Sequence, residues 1–275
     1  MAGAILALCG GVLQKILKNP LADPFILGIS SGGSCFAALF VLLNFSSFFY
    51  LTNLNKYFPL QSIVSLLGCL FSFYFINKFR KKIKAQHQEY SYLIIGIILN
   101  AFFSAVLMIT ISLADQTQLS QIHNWLVGCL QPVSVIQIMF LILACTPCIF
   151  LILKEAPFLN YLLFGDDFAK SLGVNPEKIR NKLIFLICIL ISIVVSISGA
   201  IGFIGLIVPH YVRKMHKGTV FNELVLTMIC GSIVLVIADL LSRVLLAPSQ
   251  LPIGIFTALI GAPSLAFILL RERRV

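Results

Sequence analysis

Six long stretches of the chain contain no Asp, Glu, Lys, Arg or His, and they constrain its fold more than any other feature. They are Phe25–Asn55, Tyr57–Asn77, Ser91–Ala114, Asn124–Leu153, Leu183–Pro209 and Val244–Leu270. A helix needs ~20 residues to cross a hydrocarbon core of ~30 Å, so each stretch can span a membrane at least once. Since 59% of the residues are hydrophobic, the composition excludes an ordinary soluble domain and a disordered chain.

Turn residues and charges along the chain then suggest nine predicted helices. The apolar runs are continuous rather than alternating, which favours helices over a β-barrel. We therefore predict an all-α fold, a polytopic membrane bundle of about nine transmembrane helices forming a single domain over residues 1–275. The helices are expected at roughly residues 2–17, 25–43, 60–78, 91–113, 133–153, 182–198, 200–215, 222–245 and 251–271.

The basic residues predict the orientation of this bundle, because Lys and Arg collect in cytoplasmic loops. If the first helix runs from outside to inside, 18 of the 20 Lys and Arg residues lie on the inner side, and only Lys56 and Arg243 lie outside. The carboxyl terminus is then cytoplasmic. This topology accounts for the formal net charge of +10, so no nucleic-acid partner is required.

The eight cysteines are scattered and fall mostly within the predicted spans. Cys145 and Cys148 have the C-x-x-C spacing of redox motifs, but they lack the βαβ context of such motifs. We favour a packing role for these cysteines. No His/Cys cluster has the spacing of a metal site, and we expect no bound metal.

Four segments carry more information than the apolar runs. Asn19-Pro20-Leu-Ala-Asp23-Pro24 is a helix-stopping turn, and Gly28-Ile-Ser-Ser-Gly-Gly33 follows it. A polar segment with the character of a short helix covers Phe164–Gly173. The remaining two are a glycine-spaced helix over Gly199–Arg213, with Gly202, Gly205, Pro209 and His210, and the Leu251–Pro263 segment, with Pro252 and Gly254.

In this order the four segments resemble the signature segments of the FecCD family, the permease subunits of ABC importers for ferric siderophores, haem and cobalamin. Trp125-Leu-Val-Gly-Cys-Leu130 resembles a further segment of that family on the outer side. The resemblance runs from Met1 to the carboxyl terminus. It implies a multi-pass prokaryotic plasma-membrane protein that forms a homodimer surrounded by lipid, binds ATPase subunits inside and contacts a solute-binding protein outside.

Two further expectations follow from the resemblance. Members of the family have ten spanning helices, so the first helix, the following outer segment and the start of the second helix are expected to be absent from this chain. No segment fits the G-x-x-x-x-G-K-[ST] pattern of an ATP-binding loop. We therefore expect a transport subunit that is not an enzyme, binds no cofactor, and depends on ATP used by its partner subunit.

The resemblance also assigns candidate residues. Residues 160–180 correspond to the cytoplasmic coupling segment, in which two aspartates in the first turn of a short helix suit the positive end of its dipole. Arg243 corresponds to an arginine that receives an acidic residue of the binding protein, although it can also pair with Asp239 four residues earlier. The predicted coupling residues are Gly165, Asp166, Ala169, Leu172 and Gly173.

The fourth predicted span places Gly96, Asn100, Ser104 and Met108 at intervals of four residues on one helix face. The corresponding helix of the family lines the translocation path at the dimer axis, so these residues are candidates for that path. Small residues on one face also permit close helix packing. Both interpretations remain open at this point.

Two other classes of membrane protein are alternatives. Gly28-Ile-Ser-Ser-Gly32 fits G-x-S-x-G, and an intramembrane serine protease would pair Ser30 with His210, although a histidine at that position more often has a packing role. An ion-coupled secondary transporter needs acidic residues near mid-membrane. Only Asp239 qualifies, and a cation lies beside it in the sequence.

Overall fold

The computed structural model describes residues 1–43, 60–80, 88–130, 134–245 and 251–272, and the secondary structure within these ranges is helical. The predicted all-α membrane bundle is thereby confirmed. A 3₁₀ turn, Pro24–Leu27, precedes the second helix. The helices are α1 (Ala2–Ile16), α2 (Ile29–Leu42), α3 (Leu60–Arg80), α4 (Gln88–Leu113), α5 (Gln116–Val127), α6 (Val135–Lys154), α7 (Ala156–Leu163), α8 (Asp166–Ser171), α9 (Pro176–Ser198), α10 (Ile204–Met215), α11 (Val220–Val244) and α12 (Ile253–Glu272).

Five of these helices contain an apolar stretch long enough to cross a membrane: α3, α4, α6, α9 and α11. Three predicted spans are shorter apolar helices, namely α1, α2 and residues 253–266 of α12. Eight of the nine predicted spans therefore correspond to apolar helices of the structure. The amphipathic helix α5 was not predicted, because its sequence is too polar to stand out beside the spans.

The ninth prediction, a helix over residues 200–215, is wrong in its first turn. α10 begins only at Ile204, and the residues before it leave the helical conformation, with φ of 67° at Gly199 and 69° at Phe203. A helix of 12 residues is about 18 Å long. α10 is therefore too short to cross the bilayer by itself.

Two other predicted boundaries also shift. The helix expected over residues 25–43 is interrupted at Gly28, whose φ of 75° separates the 3₁₀ turn from α2. The helix expected to start at residue 182 begins at Pro176, because the Asn175 side chain caps it by accepting a hydrogen bond from the Lys178 amide. α9 thus extends almost two turns further than its charge-free run.

The core of the bundle is formed by α1 and α9. α1 packs against α9, α10 and α11, whereas α2 packs against α3, α4 and α9. In the most apolar 18-residue stretch of α9, 72% of the residues are buried, whereas only 11% are buried in the corresponding stretch of α6. Since α6 is nevertheless strongly apolar, its exposed aliphatic and aromatic side chains are those of a lipid-facing helix.

All eight cysteines are unpaired, and Cys145 is fully buried in α6. Among the described residues, no group of three or more His, Cys, Asp or Glu side chains has the geometry to hold a metal ion. Several cations used to predict the orientation lie outside the described residues: Lys56, Lys81, Lys82, Lys84, Arg273 and Arg274.

Candidate functional site

Two ion pairs between helices lie at one end of the bundle. Arg80, the last residue of α3, lies 3.4 Å from Glu177 in the first turn of α9. Lys15 near the end of α1 lies 2.7 Å from Glu223 near the start of α11. We call this end, where α1, α3 and α6 finish and α9 and α11 begin, the basic end.

The predicted short helix of the coupling segment is present at the basic end as α8. Its last turn closes with two backbone hydrogen bonds, from Gly173 to the Lys170 carbonyl and from Val174 to the Ala169 carbonyl. This is the Schellman pattern, which needs a left-handed residue after the helix. Gly173 supplies that conformation with a φ of 77°.

An ion pair fixes the first residue of α8. The Arg180 guanidinium, in the second turn of α9, donates two hydrogen bonds to the Asp166 carboxylate, at 2.7 and 2.6 Å. These bonds lower the pKa of Asp166 below its usual value. Arg180 is only 4% exposed. The Asp166 side chain is still 36% exposed, so the ion pair holds the carboxylate in place without burying it.

Three aromatic and aliphatic side chains project outward around α8. Phe164 is 76% exposed, Phe168 46% and Leu172 51%, and the two phenyl rings lie 5.4 Å apart. We call these three residues the α8 face. Ala169 is fully buried and packs inward instead. Gly165, with a φ of 115°, precedes the helix. An apolar group of this kind on an exposed segment outside the spans is typical of a protein-binding surface.

The predicted turn after α1 is held by its own side chains. The Asn19 side chain accepts a hydrogen bond from the Leu21 amide at 2.9 Å. Asp23 accepts one from the Phe25 amide at 2.8 Å, with Pro24 as the first residue of the 3₁₀ turn. Pro20 is exposed, whereas Asp23 and Pro24 are buried. This segment therefore returns into the bundle instead of lying on its surface.

Asn100 in α4 satisfies the carbonyl groups of this 3₁₀ turn. Its side-chain amide donates to the carbonyls of Phe25 and Ile26 at 3.2 and 3.3 Å, and its oxygen accepts from the Ser31 hydroxyl. One turn earlier, Gly96 is buried against the same turn, where an added Cβ would lie 2.2 Å from the Ile26 oxygen.

The four residues of α4 that are candidates for the translocation path therefore fall into two pairs. Gly96 and Asn100 make packing contacts with the 3₁₀ turn, whereas Ser104 and Met108 are exposed, Met108 to 70%. Of these four candidates, Ser104 and Met108 are the two whose side chains are exposed and can line a path. That role remains a prediction for these two residues.

Arg243 lies at the opposite end, near the end of α11. Its Nε lies 3.0 Å from both carboxylate oxygens of Asp239, and its Nη2 donates to the Leu130 carbonyl at 3.0 Å. The side chain is still 42% exposed. The local pair with Asp239 is thus present, and it orients a guanidinium that solvent can reach.

The Trp125 segment and the start of α12 meet at the same end. The Ile253 amide donates to the Gly128 carbonyl at 3.1 Å, and the Cys129 amide donates to the Ser198 carbonyl at 3.0 Å. Half-buried Pro252 precedes this contact. A Cβ on Gly254 would lie 2.0 Å from the Val127 oxygen, so only glycine permits this approach.

The glycine-spaced helix α10 crosses the central helix α1 closely. Gly205 lies under Gly10, and the Gln14 side chain donates to the carbonyls of Gly205 and Leu206 at 3.2 and 3.1 Å. Pro209 is buried within α10 and His210 is half-buried beside Tyr211. Gly202 lies in the non-helical link before α10, and a Cβ added there would meet no atom within 4 Å.

The serine–histidine pair of the protease alternative is not assembled. The Ser30 hydroxyl is buried and has no hydrogen-bond partner in the described part of the chain. A nucleophilic serine needs a base within hydrogen-bond reach. The geometry therefore gives no support to proteolysis by Ser30 and His210.

Sequence reasoning missed the residues that tie the basic end together. Arg180 and Lys15 were counted only as topological charges, although both are buried and ion-paired. The sequence contained one signal for the pairing of Arg180 with Asp166. Arg180 lies just after the cap and first turn of α9, and α9 begins soon after two aspartates. A charge in that position faces back over the preceding segment.

Comparison with known proteins places the chain in a family. The family model described as the FecCD transport family matches residues 1–271. The haemin transport system permease HmuU of Yersinia pestis is 33% identical, with 99% of this chain and 80% of the relative covered. The vitamin B12 import system permease BtuC of Vibrio cholerae is also 33% identical, with 98% and 78% covered.

A solved structure agrees with these matches. It is an ABC transporter assigned to the metal-chelate type, in an inward-facing conformation, with a TM-score of 0.86 and 30% identity. The superposition covers 98% of this chain and 82% of that one. The bundle, the apolar spans and the family match together describe a multi-pass plasma-membrane protein. The chain belongs to the FecCD transport family and is a permease subunit of an ABC importer.

Proposed function

We propose that this chain is the membrane-spanning subunit of a binding-protein-dependent importer that carries an iron-siderophore, haem or cobalamin-type ligand. It works as a homodimer, and separate ATPase subunits supply the energy. The chain itself binds no ATP and no cofactor. The names of the haemin and vitamin B12 permeases support this ligand class. The observation that carries the proposal is the α8 face, an exposed apolar surface on a helix anchored to the core helix α9.

In this proposal the basic end is cytoplasmic, because Lys and Arg are retained on that side. The carboxyl terminus lies on the same side. ATPase subunits bind the α8 face, and ATP binding and hydrolysis change their contacts with it. A partner that binds two conformations with different affinity shifts the equilibrium between them. The two openings of the dimer, outward and inward, are those conformations.

Arg243 receives the solute-binding protein at the opposite end. Its guanidinium is exposed and oriented by Asp239, which suits the bidentate capture of a carboxylate on a partner. Arg243→Ala should weaken the affinity for the binding protein about thirtyfold or more, because truncating one partner of a hydrogen-bonded interface charge pair costs about 2 kcal/mol or more. Unchanged affinity in a binding assay on the reconstituted permease would remove Arg243 from the docking surface.

The ATPase contact is tested by charge substitution on the α8 face. Phe168→Asp should abolish co-purification of the ATPase subunits, because an unpaired carboxylate would be buried in the interface. Met215→Asp is the matched control, since Met215 is 87% exposed at the basic end but outside α8. The proposal predicts that only the Phe168 variant loses the ATPase. Equal retention by both variants would contradict it.

A further inference from the structure

α8 is joined to α9 by a short connection that contains the cap of each helix. Only residues 172–175 separate the two helices. Gly173 and Val174 close α8 with backbone hydrogen bonds, and Asn175 then caps α9, whose first residue is Pro176. Since each residue of this connection either ends one helix or begins the next, α8 and α9 have little freedom to move relative to each other.

The Arg180–Asp166 ion pair makes a second connection on the other side of α8. A guanidinium that holds a carboxylate through two parallel hydrogen bonds fixes orientation as well as distance. Asp166 is the first residue of α8, whereas Gly173 follows its last turn. α8 is therefore attached to α9 at both of its ends, and it cannot pivot about one end without breaking the ion pair.

The first two turns of α9 carry further contacts to other helices. Glu177 pairs with Arg80 of α3, whose guanidinium also lies over the Tyr92 ring at 5.1 Å. Tyr92 of α4 donates its hydroxyl proton to the Asn181 side chain at 2.7 Å. In addition, Lys182 forms an ion pair with Glu155, between α6 and α7. This part of α9 thus contacts the basic ends of several spanning helices.

These contacts determine which helices a movement of the α8 face would reach. α9 is the most buried of the five long spans and packs against α1, α2, α3 and α6. Packed interiors transmit a displacement rather than absorbing it. A displacement of α8 would therefore move α9, and α9 would pass it to the core.

We infer that Arg180 is a positioning residue that transmits movement of α8 to α9 through its two hydrogen bonds to Asp166. This inference rests on the proposed function, in which ATPase subunits bind the α8 face. It assigns Asp166 to transmission within the permease rather than to contact with the ATPase. Arg180 and Asp166 should then set the efficiency of coupling, while the α8 face sets the affinity for the ATPase.

The test uses the reconstituted complex of this chain with its ATPase and binding protein. Arg180→Lys keeps the charge but loses the planar two-bond contact. We expect the stimulation of ATP hydrolysis by the loaded binding protein to fall about fivefold or more, a normal allosteric coupling factor. The affinity for the ATPase subunit and the apparent melting temperature should stay near the wild-type values.

Three further variants keep the test decisive. Asp167→Asn removes the neighbouring carboxylate, which is fully exposed and, among the described residues, forms an ion pair with Lys170 of the same helix. With the ATPase subunit at a saturating concentration, this variant should retain wild-type stimulation. The exchange Asp166→Arg/Arg180→Asp restores an ion pair with reversed charges and should recover most of the stimulation lost by Arg180→Asp alone. Failure of the exchange to recover more than the single variant would overturn the inference.

The remaining outcomes separate this inference from the proposed function. If Arg180→Lys couples as well as wild type, or loses ATPase affinity in proportion to coupling, transmission through Arg180 is wrong while the importer assignment stands. If the wild-type complex itself shows no stimulation by the binding protein, the proposed function fails, and the inference fails with it.

Discussion

The crossing of α1 and α10 gives the sharpest stability prediction, because two adjacent glycines of α1 meet different surroundings. A Cβ on Gly10 would lie 1.8 Å from the Gly205 oxygen and 2.4 Å from its carbonyl carbon. A Cβ on Gly11 would lie 3.4 Å from a Leu224 methyl group and 3.5 Å from Pro209. The first is a severe overlap with backbone, and the second is an ordinary contact.

The expected magnitude follows from these distances. Gly10→Ala requires α1 and α10 to separate by about 1.5 Å, and overpacking of a core costs about 1–3 kcal/mol. The separation also strains the two Gln14 hydrogen bonds to α10, each worth about 1 kcal/mol. Alanine regains up to about 1 kcal/mol of helix propensity. The net destabilisation is about 2–4 kcal/mol for Gly10→Ala, whereas Gly11→Ala should be neutral or slightly stabilising.

The assay is thermal unfolding of both variants in one detergent, with size-exclusion chromatography as a check on folding. At about 2–4 °C per kcal/mol for a chain of this size, Gly10→Ala should melt about 5–15 °C below wild type, and Gly11→Ala at or slightly above wild type. If both variants melt within about 2 °C of each other, the close crossing of α1 and α10 is wrong.

Three further predictions concern polar contacts inside the bundle. Asn100→Ala should destabilise the protein by about 1–3 kcal/mol, because the side-chain amide that donates to the Phe25 and Ile26 carbonyls is lost. Ser104→Ala on the exposed half of α4 should change the stability by no more than about 0.5 kcal/mol, and equal melting temperatures of the two variants would contradict this. Lys15→Met should destabilise the folded protein by about 3–5 kcal/mol, because Glu223 is left buried without its cation. The double variant Lys15→Met/Glu223→Leu should recover most of that loss, and a double variant as unstable as the single one would refute the pairing. The folded-state pKa of Asp166 lies below its unfolded value, so its stabilising contribution is present above about pH 4 and is lost as the pH falls further. The difference in melting temperature between wild type and Asp166→Asn should therefore shrink only once the pH falls below about 4, and a difference that stays constant below that pH would contradict the ion pair.

Much of the fold could be predicted because bilayer length and charge act along the sequence. Apolar runs together with turn residues and charges located eight of the nine spans, and the proline, asparagine and aspartate of the turn after α1 located the break between α1 and α2. These signals are local, since each depends on neighbouring residues. The same is true of Gly173, whose position after a short polar helix predicts its left-handed conformation.

The rest depends on contacts between distant parts of the chain. Nothing near Phe203 indicates its positive φ, which arises where α9 ends and α10 turns under α1. Asn100 has the spacing of a path-lining residue, yet its side-chain amide donates to the 3₁₀ turn and its side-chain oxygen accepts from Ser31 of α2. Arg180 is one basic residue among several in the sequence, and its pairing with Asp166 depends on α8 folding back against α9. Such pairings are set by tertiary packing rather than by residue spacing.

The central claim, import energised by a separate ATPase, is tested most directly by uptake into proteoliposomes. The chain is reconstituted with its ATPase, ATP is enclosed in the lumen, and the binding protein is added outside with haem, cobalamin or a ferric siderophore. The proposed function predicts accumulation of one of these ligands only when ATP, the ATPase and the binding protein are all present. Accumulation that needs no ATPase and follows an imposed ion gradient would contradict it.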